Sequence, residues 1–195
     1  MKTLLAIFVT FFATSVFAQR TPEPFGFHYG STKADVIKQL GNASVTNVSK
    51  DGTSVSFTTA PNPHPDFEKY VLFFSPTKGL LKIVAIGKDI TTGDDGSELR
   101  QAFNRLRKSL DTKYGKSQGL DNCKDDGAAC ESRFFMMELK SKNRNLFAIW
   151  QAEGTGITLD AYALRINVGY VTLSYEFPGW SEFVDARNTK KDSVL

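Results

Sequence analysis

Two stretches late in the chain place apolar side chains at every second position: Ile157, Leu159, Ala161 and Ala163, then Val171, Leu173, Tyr175 and Phe177. Successive side chains of an extended strand point to opposite faces, so this alternation predicts two strands, each with one covered face. Earlier segments read as strands too. "ASVTNV" and "TSVSFTT" flank "SKDG", and "FEKYVLFFS" and "LLKIVAIGK" flank "PTKG", two hairpin signals. "SRFFMMELKS" and "LFAIWQ" complete the second set. The loop "APNPHPD" carries three prolines and is excluded from regular structure.

Two helices precede these strand groups. Thr32 fits an N-cap with Asp35 three residues on, Val36, Ile37 and Leu40 form an apolar stripe, and Gly41 supplies the stop. Leu99, Ala102, Phe103, Leu106, Leu110 and Tyr114 recur at helical spacing and predict a helix over 96–114, with Asp95 and Glu98 as its capping pair. Before the first helix, Phe25, Phe27 and Tyr29 alternate with Gly26, His28 and Gly30, which predicts an extended segment with one aromatic face.

Helix then four strands, twice, without strand–helix–strand alternation, defines an α+β protein. The expected form is two tandem helix-plus-four-stranded antiparallel sheet units, with the helices packed on one sheet face. The expected divisions are a signal peptide at 1–18, a first half at 19–89, a connector at 90–96, a second half at 97–180 and a frayed tail at 181–195.

The signal peptide is read from Lys2, the apolar run from Leu4 to Ala13, and Val16-Phe17-Ala18 as a cleavage site. That run is too short to span a bilayer. The expected location is therefore periplasmic or secreted, with no transmembrane segment. Removing Lys2 from a formal charge of +3 leaves a nearly balanced chain, which argues against a nucleic-acid partner. In an oxidising compartment Cys123 and Cys130 form a disulfide, and the pair has no nearby histidine for a zinc site.

Local motif matches carry little chemistry. Gly115-x-Ser117-x-Gly119 has the spacing of a nucleophile elbow, but a helix precedes it where a strand is required. Ser75-x-x-Lys78 falls on a hairpin turn rather than a helix start. His28 and His64 lie in no catalytic or metal-binding pattern. Asp89, Asp94, Asp95 and Glu98 lack calcium-loop spacing, and Asp121, Asn122, Asp125 and Asp126 read as turn residues around the disulfide. Neither a catalytic residue nor a metal or cofactor site is assigned.

The stretch "GSTKADVIKQLG" at 30–41 resembles the helix entry of SmpA/OmlA-type small envelope proteins of bacteria. The doubled helix-plus-sheet order is similar to that of the β-lactamase inhibitor protein. The first family is anchored through an N-terminal cysteine, which this chain lacks. The resemblance implies a bacterial envelope protein without catalysis, and no functional residue is carried across.

The expectation is an exported, non-enzymatic protein that binds another protein as an inhibitor, immunity or assembly factor. Trp180 in "FPGWSEF" and the basic residues Arg105 and Lys108 of the long helix are the candidate anchors. The alternatives are a small envelope hydrolase, signalled by Ser117 or a histidine joined to a carboxylate, and a lipid or small-ligand carrier, signalled by an apolar cavity between helix and sheet. Partner identity and oligomeric state are left open.

Overall fold

A computed structural model describes residues 21–124 and 130–192. The expected signal peptide, Asp125 and Asp126 lie outside the described residues. Within them the fold is α+β, with four α-helices and a nine-stranded antiparallel sheet.

After a 3-10 turn at Pro24–Gly26 comes α1 (Lys33–Leu40). Thr32 Oγ1 accepts from the Asp35 amide at 3.1 Å and donates to its carboxylate at 2.6 Å. That capping pattern fixes the helix start. The chain then runs through β1 (Val45–Val48), β2 (Ser54–Phe57), β3 (Phe67–Ser75) and β4 (Gly79–Gly87) as a meander. A short β5 (Ile90–Thr91) leads to α2 (Ser97–Tyr114). β6 (Gln118–Cys123), a 3-10 turn at Ser132–Phe134 and α3 (Phe135–Ser141) follow. The chain closes with β7 (Arg144–Ala152), β8 (Thr155–Arg165), β9 (Val168–Glu176) and α4 (Trp180–Asp192).

Strand order across the sheet is β1-β2-β3-β4-β9-β8-β7-β6, and β5 also pairs with β9. The last strand of the second meander therefore joins the last strand of the first. Ile83 faces Tyr175 and Ala85 faces Leu173 across this seam. One face of the sheet carries Phe57, Leu72, Ile83, Leu159, Leu173 and their neighbours, all buried. Leu99, Phe103, Leu106 and Leu110 of α2, Val36 of α1 and Met136 of α3 belong to the same apolar cluster. Both meanders thus share one continuous core.

Several expectations are corrected. Phe25 to Tyr29 is not a strand: Pro24 and Gly26 punctuate it, and Gly26 sits at φ +77°, where a Cβ would meet Asn62 at 2.8 Å. The aromatic side chains are still inserted, with Phe25 and Phe27 against Tyr70 and Tyr29 against Phe177. "SRFFMMELKS" is helical. Phe135, Met136 and Leu139 are buried and Met137 is 48% exposed, the spacing of a helix face rather than of alternate strand positions. The residues around Gln118 form a strand where a loop was expected.

The N-cap of α2 is Gly96. Asp95 accepts from Ser97, and the Glu98 carboxylate turns back to accept from Thr92 Oγ1 at 2.6 Å. The stretch expected to fray from 181 onward is helical through Asp192. The helices do not all pack on one sheet face. Trp180 of α4 packs on Phe73 and lies under the Lys82 ammonium. Those two residues point away from the core on β3 and β4.

Candidate interaction face

Alternation leaves β3, β4, β7, β8 and β9 with a second set of side chains opposite the core. Register aligns them in rows. Ile149, Thr158, Ser174, Val84 and Val71 lie side by side across five strands. The neighbouring row is Phe147, Asp160, Thr172, Ile86 and Lys69. Tyr162 faces Tyr170, and the two rings stack with centroids 5.5 Å apart. Tyr162 is 44% exposed and Ile149 41%. α4 covers one end of this face through Trp180 and Phe183 and reaches the β1–β2 turn, where Arg187 pairs with Asp51.

Within the two rows Asp160 is the carboxylate, set among apolar and hydroxyl neighbours, and Glu176 lies further along the same face. Burial pushes the Asp160 carboxyl up, and the nearby Lys82 charge opposes the shift. Lys82 is itself committed, pairing with Glu176 at 2.7 Å. Asp160 is set by the same alternation that buries Leu159 and Ala161 on either side of it.

The three anchor residues expected from sequence do not form one site. Trp180 covers the open sheet face. Arg105 and Lys108 project from α2, on the opposite side of the sheet. Arg105 donates to Asp66 at 2.8 Å and straps α2 to the proline loop. Lys108 is exposed beside Gln101 and Asn104.

The disulfide between Cys123 and Cys130 is formed, with Cα atoms 5.8 Å apart. Arg144 secures it from β7, with a two-bond fork to Asp121 and a donation to the Cys130 carbonyl at 3.3 Å.

The nucleophile-elbow spacing has another use. Ser117 is buried between α2 and β6, its hydroxyl accepts from Arg107 Nε at 2.8 Å, and its amide donates to Asp111 at 2.8 Å. A helix precedes it and a strand follows. Ser75 similarly closes its hairpin turn by accepting from the Thr77 and Lys78 amides. His28 pairs with Glu23 at the surface, and His64 Nδ1 accepts from the Asp66 amide. Among the described residues no group of three or more His, Cys, Asp or Glu converges as a metal site, and no helix is long and apolar enough to cross a membrane.

No local pattern marks the open face: its β3–β4 members meet those of β7, β8 and β9 through the pairing of β4 with β9. Comparison with protein-family models, curated proteins and solved structures returned no match.

Proposed function

We propose that this is an exported protein of the bacterial envelope that binds another protein through the uncovered sheet face. The observation that carries the reading is the pair of aligned rows across β3, β4, β9, β8 and β7, flanked by the stacked tyrosines. Half-exposed aromatic and aliphatic side chains in a contiguous field are the material of an interface core. Asp160 sits inside that field, so the matching partner presents an arginine or lysine there, between carboxylate and aromatic rings. The disulfide supports export.

In this reading the chain is built from two repeats, 19–89 and 97–180, each a helix and four antiparallel strands, with α3 inserted after the first strand of the second. Joining them edge to edge at β4 and β9 is what makes the binding face wide enough for a protein partner.

Photo-crosslinking tests the proposal. A benzophenone side chain at position 162 or 149 is expected to capture one protein from intact envelopes, and Asp160→Arg is expected to abolish the adduct. A control at position 108, on the far side, should give none. The same adduct from all three positions, or none from 149 and 162, would reject the face as the binding surface.

A further inference from the structure

A second site lies on the other side of the sheet. A cleft of about 340 Å³ opens between α2, the proline loop at 61–65 and the Pro24–Gly26 turn. Its apolar wall comes from Phe25, Phe67, Leu106, Leu110, Leu173 and Tyr175. That volume falls at the lower end of the range of about 300–1,000 Å³ usual for small-molecule sites.

The walls are fixed by two hydrogen bonds and an ion pair. The Asn62 amide donates to the Phe25 carbonyl at 2.9 Å. The His64 amide donates to the Tyr70 hydroxyl at 3.2 Å. Asp66 at the loop's end takes the Arg105 guanidinium of α2 at 2.8 Å. Pro61, Pro63 and Pro65 alternate with these ties and restrict the backbone.

Phe25 itself stands at φ 58° and ψ 17°, a left-handed conformation that a bulky residue adopts at a cost. That conformation holds its ring edge-on to Phe67, Tyr70 and Tyr175, at centroid distances of 5.5, 5.1 and 6.2 Å. Strained residues held by their surroundings gather at ligand clamps.

Two charged side chains stand at the rim, Glu23 and Lys113. Glu23 pairs with His28 at 3.1 Å. Lys113 lies over the Tyr114 ring at 5.0 Å and makes no ion pair among the described residues. An apolar, pre-formed cleft with an ammonium outside any ion pair at its mouth matches a small amphipathic anion.

We infer that the cleft between α2 and the proline loop binds a small ligand with an apolar body and a single anionic head, of the medium-chain fatty-acid class. The body lies against Phe25 and Leu110, and the head meets Lys113. No bond is made or broken.

The test uses the oxidised protein from residue 19 onward, with 1-anilinonaphthalene-8-sulfonate as fluorescent probe and decanoate and 1-octanol as competitors. Saturable one-site binding is expected, displaced by decanoate at lower concentration than by 1-octanol. Ser109→Phe, which fills the cleft from an exposed position, should weaken binding at least tenfold with an unchanged thermal midpoint. Lys113→Gln should weaken decanoate several-fold and leave 1-octanol unmoved. Non-saturable binding, or full affinity in Ser109→Phe, would overturn the site; a Lys113→Gln variant equal to the parent would overturn the anionic class.

Discussion

The indole nitrogen of Trp150 donates to Asp111 Oδ1 at 3.0 Å, tying the C-terminal part of β7 to the last turn of α2. The same oxygen accepts from the Ser117 amide at 2.8 Å, and the indole is shared with the Gly115 carbonyl at 3.0 Å. One carboxylate thus closes the helix, seats the following strand and satisfies a buried tryptophan. Asp111→Ala leaves the Ser117 amide without its acceptor, in a buried residue. The expected loss is about 1–3 kcal/mol, the usual penalty for stranding a buried polar group. Urea unfolding followed by tryptophan fluorescence measures it, and an unchanged midpoint would mean the tie is worth nothing.

Acid should expose the same contact. Burial acts against ionisation of Asp111, but hydrogen bonds from Ser117 and Trp150 and the Arg107 charge outweigh it and hold the carboxyl below the usual range. A carboxyl lowered in the folded state contributes stability that is complete above its unfolded pKa of about 3.9 and is lost as pH falls through the folded value. Stability should therefore drop below about pH 4, and Asp111→Asn should flatten that slope. Matching slopes for parent and variant would assign the acid sensitivity to other carboxylates.

Gly79 opens β4 at φ +71°, and a Cβ there would collide with the Gly30 carbonyl. The Gly30 amide donates to the Leu80 carbonyl at 3.1 Å and the Leu80 amide to the Ser31 carbonyl at 2.9 Å, so the two segments cannot part freely. Gly79→Ala combines an unfavourable φ with a backbone clash and should cost about 2 kcal/mol or more. Gly41→Ala is the comparison: its φ is +80°, but nothing lies within 4 Å of the added carbon. It should cost less, and equal losses would remove the clash as the cause.

Reducing the disulfide should cost at most about 2.5 kcal/mol, because the loop it closes is short. Arg144 holds the same region through Asp121, at 2.6 and 2.9 Å. Cys123→Ser with Cys130→Ser, combined with Arg144→Met, should therefore lose a different amount from the sum of the separate losses, by about 0.5 kcal/mol or more. Strict additivity in chemical unfolding would show that the two restraints act independently.

The strands that alternate cleanly were legible because one face is buried: Leu159 and Leu173 have core neighbours, while Asp160 and Thr172 do not. Thr32 and Asp35 marked a helix start for the same local reason. Where local signal failed, tertiary packing decided. Phe135 and Met136 sit in an apolar run that suits a strand or a buried helix, and the choice depends on α3 meeting β7 and β8. Trp180 and Phe183 anchor a helix whose other residues are mostly polar, so nothing in its pattern announced that it would lie on the sheet. Arg105 read as a surface cation, and its role appears only once Asp66 arrives from a distant loop. The open face was invisible for a related reason. Its residues come from five strands, and the pairing that assembles them joins β4 to a strand more than eighty positions later.

That pairing also sets an order of events during synthesis. The first meander emerges with Ile83 and Ala85 on a strand whose outer backbone has no neighbour until β9 arrives. Almost the whole chain must be made before this exposed edge is closed, and a bare edge of that kind is a template for joining the wrong strand. The position of one strand thus decides how long the first meander stays open to mispairing.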